Sequence, residues 1–485
     1  MKTFSRRQFV KVSALAAASL SAAPGLRAAA SAARVIGANE DVRFAVVGFN
    51  GRGMDHIKGM RETPGTRLVA LCDVDKHVLD REVKKAGDRG EQVQGYTDIR
   101  KLLENKDIDV VTFATPNHWH SLGAIWAIQA GKDVYVEKPV SHEVWEGRQV
   151  VIAARQHNRI VQTGTQCRSS SGIEEAIAWI RQGQLGKILR ARGLCYKRRP
   201  SIGKVEGPQP IPEEIDYDLW CGPAPKEPLM RKRLHYDWHW VWPTGNGDLG
   251  NQGIHQMDLA RWVLGENALS PRVLSVGGRI GYIDDGTTPN TLIVFHDYKA
   301  APLIFEVRGL PRSAASDGMD DYHGASIGVV TDLEGGSMVI PSYSTAIVYD
   351  KAGQEIKRFK GSSSHFENFL NAVRNRKCSE LKADILEGHL SSALCHTGNI
   401  SYRLGKTHSP DELRAAVKDN ADLAESLGRM EEHLKENQVD TKQYPVTLGA
   451  NLKMDPTREK FLSNSAANRL LKRDYRKPFV VPEKV

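Results

Sequence analysis

The sequence predicts an α/β protein built in two parts. A doubly wound parallel sheet comes first, and an α+β domain with a large, mostly antiparallel sheet follows. Three observations predict this. Short apolar runs alternate with helical patterns from residue 42 to 164; a glycine-rich turn follows the first run; and beyond residue 185 strand-like runs are joined by long polar loops. The 485 residues are 40% hydrophobic and 26% charged, with a mean hydropathy of −0.42, which excludes a disordered chain and a polytopic membrane protein. The net charge of +9 is partly carried by Lys2, Arg6, Arg7, Lys11 and Arg27 at the very start. The remainder is too weakly basic for a nucleic-acid partner.

The first 33 residues read as an export signal. A basic opening, Ser5-Arg6-Arg7-Gln8-Phe9-Val10-Lys11, precedes a small-residue apolar stretch and Ala28-Ala29-Ala30. The adjacent arginines resemble the bacterial twin-arginine signal, so the expectation is export by the twin-arginine machinery to the periplasm, with no stable membrane anchor. Residues 34–165 then form the expected nucleotide domain, 166–405 the second domain, and 406–485 a helical extension and tail. None of the six cysteines has CxxC spacing, so buried free thiols are expected, and no metal site is.

The run at 42–47 ends in Gly48-Phe49-Asn50-Gly51-Arg52-Gly53 and a helix pattern follows. This is the strand–turn–helix arrangement of a Rossmann domain, which sets a pyrophosphate on backbone N–H groups at a helix N-terminus. Asn50 stands where a second glycine is usual, and tolerates positive φ. The next strand, 67–72, ends in Asp73, placed to bind adenine ribose hydroxyls and repel a 2′-phosphate. NAD is therefore expected over NADP. Strands at 110–114, 134–137 and 160–164 alternate with helices at 98–104, 121–130 and 143–156. Two strand ends carry polar chemistry: Thr115-Pro116-Asn117-His118-Trp119-His120 and Glu137-Lys138-Pro139.

Those last two segments, with Gly131-Lys132-Asp133-Val134, resemble the Gfo/Idh/MocA oxidoreductases. The resemblance implies that Lys138 contacts nicotinamide ribose and substrate, and that Thr115, Asn117, His120 and Glu137 lie along the cofactor. It also implies a second domain whose outer sheet face forms subunit contacts, hence a dimer or tetramer. Helices at 365–403 should pack back toward the first domain.

In the second part, strands are expected at 189–195, 273–278, 291–296 and 303–307. The richest chemistry is Tyr236-Asp237-Trp238-His239-Trp240 and Asn251-Gln252-Gly253-Ile254-His255-Gln256-Met257-Asp258. Trp238 and Trp240 offer aromatic faces that suit the apolar faces of a sugar. Asn251 and His255 share a helix face, with Asp258 one turn on. The resemblance makes His255 the acid/base and places Asn251 where the family has an aspartate. Arg168 and Asp258 are expected to contact substrate.

The reading is an exported NAD-dependent oxidoreductase that transfers hydride from a carbohydrate to a tightly held cofactor. A second reading is an NAD-dependent glycoside hydrolase or lyase that oxidises a sugar carbon transiently. A third is a sugar-binding protein with no activity, left open by the Asn251 change.

Overall fold

The computed structural model describes residues 41–485. The expected export signal lies outside the described residues. Strands β1 (Val42–Val47), β2 (Thr66–Cys72), β3 (Gln94–Tyr96), β4 (Val110–Phe113), β5 (Asp133–Val136) and β6 (Val161–Thr163) form one sheet in the order β3-β2-β1-β4-β5-β6, and every pair is parallel. Order reversal beside β1 creates the crevice of a doubly wound sheet between β1 and β4. The strands are apolar along their length because helices cover both faces. Asp75, Asp98 and Ser170 each accept a backbone N–H at a helix start, which fixes where the chain turns into helix.

The helix after β4 begins at Asn117, four residues earlier than its apolar pattern indicates, so Asn117, His118, Trp119 and His120 form its first turn. That turn is buried against other chain segments, so its polar residues do not mark a loop.

The second sheet runs β14-β13-β12-β11-β7-β10-β9-β8-β16-β15. Its strands are β7 (Ile188–Tyr196), β8 (Arg272–Gly278), β9 (Thr291–His296), β10 (Leu303–Arg308), β11 (Ile327–Leu333), β12 (Gly336–Ser342), β13 (Thr345–Asp350), β14 (Glu355–Lys360), β15 (Lys406–His408) and β16 (Val446–Leu448). Pairing is antiparallel except between β7 and β10. One face packs on the helices Ser171–Arg181, Gly253–Leu264 and Ile385–Arg403. The opposite face, at β8–β10, packs on Leu413, Val417, Leu423, Leu427, Met430 and Leu434 from helices Pro410–Val417 and Ala421–Glu436. The segment after residue 405 is therefore more than a helical extension: β15 and β16 complete one end of the sheet, and β17 (Leu452–Asp455) pairs with β8.

Helices His365–Asn375 and Ile385–Arg403 lie against the first domain. Phe369 and Leu370 share a core cluster with Val42 and Phe44, and His365 Nε2 meets the Thr163 carbonyl at 2.8 Å. The last residues also lie on this domain. Phe479, 1% exposed, packs edge-on to Trp119, and Arg473 pairs with Glu143. All six cysteines are unpaired, and all but Cys378 are buried.

Candidate active site in the interdomain cleft

A cleft of about 410 Å³ opens beyond the carboxyl ends of β1, β2, β4 and β5. Its floor at one end is the glycine turn. Gly48 has φ +75°, and a Cβ there would lie 3.0 Å from the Thr115 backbone, so only glycine fits. A Cβ on Gly53 would lie 2.1 Å from the Gly48 carbonyl oxygen. Gly53 thus acts by close packing of turn on helix, while Gly48, Asn50, Gly51 and Arg52 line the cleft. Gly51 caps helix Arg52–Arg61 without any side-chain bond, so the first N–H groups of that helix are free to take an anion.

Asp73 lines the cleft at the end of β2. One carboxylate oxygen accepts the Phe49 N–H at 3.0 Å and the other accepts the Asp75 N–H at 3.1 Å. Burial pushes its pKa up against these two bonds. Asp73 thereby shapes the glycine turn as well as facing the cleft. A cradle that glycine alone fits, uncapped N–H groups and a strand-end carboxylate together fit NAD.

Thr115, Asn117 and His120 also line the cleft. Asn117 donates from Nδ2 to Asn246 Oδ1 at 2.9 Å, and Asn246 donates to the His142 carbonyl at 3.0 Å. His120 holds two loops together: Nδ1 lies 2.6 Å from the Pro139 carbonyl and Nε2 lies 2.8 Å from that of Thr115. Glu137 accepts from Arg52 Nε at 2.8 Å, His56 Nε2 at 3.1 Å and Gln166 Nε2 at 3.3 Å. Burial opposes its charge, but the His56 bond and the charges of Arg52, His56 and Lys138 outweigh this and hold it well below the usual carboxylate range.

Lys138 projects from the end of β5 across the interdomain junction. Its Nζ donates to the Asn251 backbone carbonyl at 3.0 Å. Burial lowers its pKa, although Glu137 opposes this. The carbonyl is available because the chain breaks between helices Gly247–Asn251 and Gly253–Leu264. The Asn251 residue itself, Trp238, His239 and Tyr236 complete this end of the cleft.

The remaining expected residues lie elsewhere. Arg168 does not meet the cleft: Nε and a terminal nitrogen clamp Asp258 at 2.7 and 2.9 Å, and Glu387 lies 3.0 Å from the guanidinium. Asp258 is fully buried and also accepts the Ser391 hydroxyl at 2.7 Å. A buried carboxylate needs such partners, and this pair joins the helices behind the cleft. Trp240 is also withdrawn from the wall; its ring lies under the Arg199 guanidinium at 5.0 Å. His255 sits one turn beyond Asn251, 5% exposed, with its ring 5.1 Å from that of Tyr343. Burial and the charge of Lys138 lower its pKa to about 3. The sequence reading placed Tyr236 and His239 in its richest stretch but gave them no role, and it gave none to Asn246.

Residues 42–165 match the model of the oxidoreductase family, NAD-binding Rossmann fold, and residues 184–295 match that of the oxidoreductase family, C-terminal alpha/beta domain. Both models are those of the Gfo/Idh/MocA oxidoreductases, and together they span just under half of the chain. Among relatives of this chain is "Glycosyl hydrolase family 109 protein 2" of Shewanella sp. (strain ANA-3), 32% identical over 30% of this chain and 36% of the relative. Another is the inositol 2-dehydrogenase of Salmonella paratyphi B (strain ATCC BAA-1250 / SPB7), 27% identical over 37% of this chain and 52% of the relative. These matches span about a third to half of the curated relatives' length. The fold is shared with the WlbA dehydrogenase from Bordetella pertussis, solved with NADH and UDP-GlcNAcA (TM-score 0.56, 18% identity, 74% of this chain and 96% of that one). It is shared likewise with levoglucosan dehydrogenase in complex with NADH (TM-score 0.55, 17% identity, 74% and 96%).

Proposed function

We propose that this protein oxidises a hydroxyl of a carbohydrate, with NAD held in the cleft as the hydride acceptor. The observation that carries the reading is Lys138 on the wall of the NAD cleft, tied to Asn251 and sharing that end with Trp238. The Lys138 ammonium donates to the hydroxyl oxygen and lowers its pKa, while a neutral imidazole takes the proton. The resemblance gives the proton to His255. The Asn251 amide donates to or accepts from a neighbouring hydroxyl, and the Trp238 ring packs on the sugar's apolar face. Relatives named for inositol, levoglucosan and a nucleotide sugar support a polyhydroxylated substrate.

A second reading is supported by the relatives named as family 109 glycosyl hydrolases. Transient oxidation makes the adjacent C–H acidic, the glycosidic bond is eliminated, and hydride returns. That sequence needs two proton-transfer groups, and the charge of Lys138 reaches two imidazoles, His239 and His255.

The test is mass analysis of nucleotide released on denaturation, followed by a panel of sugars, sugar alcohols and glycosides read both by cofactor absorbance and by product. Reduced cofactor with a keto sugar supports the first reading, and free aglycone without net reduction supports the second. Neither response from cofactor-loaded protein sinks both.

Export through the twin-arginine route is part of the proposal, supported by Arg6-Arg7 ahead of a short apolar stretch. Lys-Lys in their place should strand loaded protein in the cytoplasm; undiminished periplasmic protein argues for another route. A homo-oligomer built on the second sheet has to avoid β8–β10, whose outer face is already occupied by helices Pro410–Val417 and Ala421–Glu436.

A further inference from the structure

We infer that the C-terminal tail controls how fast NAD leaves the cleft. Arg476 and Phe479 are positioning residues that staple the short helix Tyr217–Cys221 across its nucleotide end. This role rests on NAD occupying the cleft and is independent of which sugar is oxidised.

The second domain lends a wall to the first. Directly after Asp73, Asp75 forms an antiparallel bridge with Ile215, and the Lys76 N–H reaches the Glu214 carbonyl at 3.0 Å. The helix Tyr217–Cys221 starts there, with Asp216 accepting the Leu219 N–H. Leu219 and Trp220 line the cleft together with Asp73, Ile99 and Trp119. A nucleotide seated against Asp73 is walled on one side by this helix, which has to swing away for the nucleotide to leave. The first domain holds the helix from one side: Trp119 Nε1 donates to the Leu219 carbonyl at 3.0 Å, and His118 Nε2 lies 3.0 Å from that of Trp220. The tail holds it from the other. Arg476 donates from Nε to the Gly222 carbonyl at 3.1 Å, and from its terminal nitrogens to the Asp218 carbonyl at 2.6 Å and carboxylate at 2.9 Å. A cation here takes the carbonyls that the helix end leaves over. Phe479 fixes both holds. Its ring carries the guanidinium of Arg476 at 4.8 Å and that of Arg100 at 5.2 Å, and meets the Trp119 ring edge-on at 5.5 Å.

These contacts join one part of the chain to another, so they favour the closed helix by the same amount whether or not NAD lies beneath it. A group that favours one conformation equally in the free and loaded protein changes how often the cleft opens and leaves the affinity alone. Entry and release are slowed together. A residue that instead shapes the binding surface changes release and affinity in proportion. The two roles are therefore separable by measurement.

The test uses protein purified with its nucleotide and needs no substrate. Exchange of the bound nucleotide against excess ¹⁴C-labelled NAD, read after rapid desalting, gives the release rate. Label retained at equilibrium after dilution to a series of concentrations gives the dissociation constant. Arg476→Met and Phe479→Leu should each release nucleotide roughly tenfold faster or more, because the charge-assisted bonds or their support are lost. Their dissociation constants should stay within a few-fold of the parent. Arg476→Lys, which keeps the charge without the planar fork, should fall between. Lys472→Met, earlier in the tail and paired with Glu483 rather than with the helix, should exchange at the parent rate. Release at the parent rate in either Arg476→Met or Phe479→Leu overturns the proposal, and so does faster release with a dissociation constant raised in proportion. An equal gain in Lys472→Met overturns it too, because the tail would then act by packing alone. Protein that neither carries nor takes up NAD overturns the cofactor reading on which the role rests.

Discussion

Lys138 Nζ donates to the backbone carbonyl of Asn251, 113 residues away, at 3.0 Å. The bond joins the end of β5 to the break between two helices of the second domain, so the ammonium is positioned by both domains at once. A residue held this way loses its place if either domain shifts, which ties the position of its ammonium to the packing between them.

The first prediction concerns Asn251→Asp. A carboxylate at this point of the wall attracts the Lys138 ammonium away from a substrate oxygen and repels that oxygen itself. Turnover should fall about tenfold or more, a loss of about 1.4 kcal/mol in the transition state. Bound NAD should persist. Steady-state rates equal to or above the parent would show that the site lacks only the carboxylate that Asn251 replaces.

Asp73→Asn addresses cofactor choice. The amide oxygen can still accept one of the two N–H groups that Asp73 holds, from Phe49 and Asp75, but the charge that repels a 2′-phosphate is gone. Mass analysis of released nucleotide should show the NADP(H) share rising over the parent. An unchanged share would place cofactor discrimination elsewhere in the cleft.

The tail gives a stability prediction. Arg473 is part-buried, pairs with the buried Glu143 at 3.0 Å and also donates to the Pro243 carbonyl. Arg473→Met leaves the Glu143 carboxylate buried without this cation, a change that typically costs about 3–5 kcal/mol. Denaturant unfolding should register it. A loss below about 1 kcal/mol, the range of an exposed pair, would mean that the tail is not docked on this domain in solution.

Glu146 gives a pH prediction. Burial and the neighbouring charge of Glu143 push its carboxyl up to about 7. In the unfolded chain it titrates at ~4.3, so folding favours the protonated form. Its contribution to stability is complete below the unfolded value and is lost as pH rises through about 7. Glu146→Gln mimics the protonated form, so its melting temperature should gain on the parent between pH 5 and pH 8. A constant difference across that range would contradict the shift.

The nucleotide-binding half was legible in the sequence because its signals are local. A parallel strand buried on both faces is a short apolar run, the glycine turn is the four residues between β1 and the next helix, and Asp73 follows at a fixed interval. Lys138 was legible for the same reason, standing directly at a strand end. The strands from Ile327 to Lys360 were not, and the last of them, β14, is the exposed edge of the second sheet. In β14 only Phe359 is buried, and its charged neighbours read as loop.

The site shows the division most clearly. The sequence alone determined which residue types were present: a lysine at the end of β5, an asparagine and a histidine four apart, and an aromatic run. Only the tertiary structure decided which of them face the cleft. Arg168 and Asp258 carry charges that suit a ligand, but each is the other's partner across 90 residues. His255 has the spacing of an acid/base, and the fold buries its ring against that of Tyr343, while Trp238 and His239 line the cleft. The physical reason is that charge pairing, burial and side-chain direction depend on what the rest of the fold brings alongside, and no local pattern contains that information.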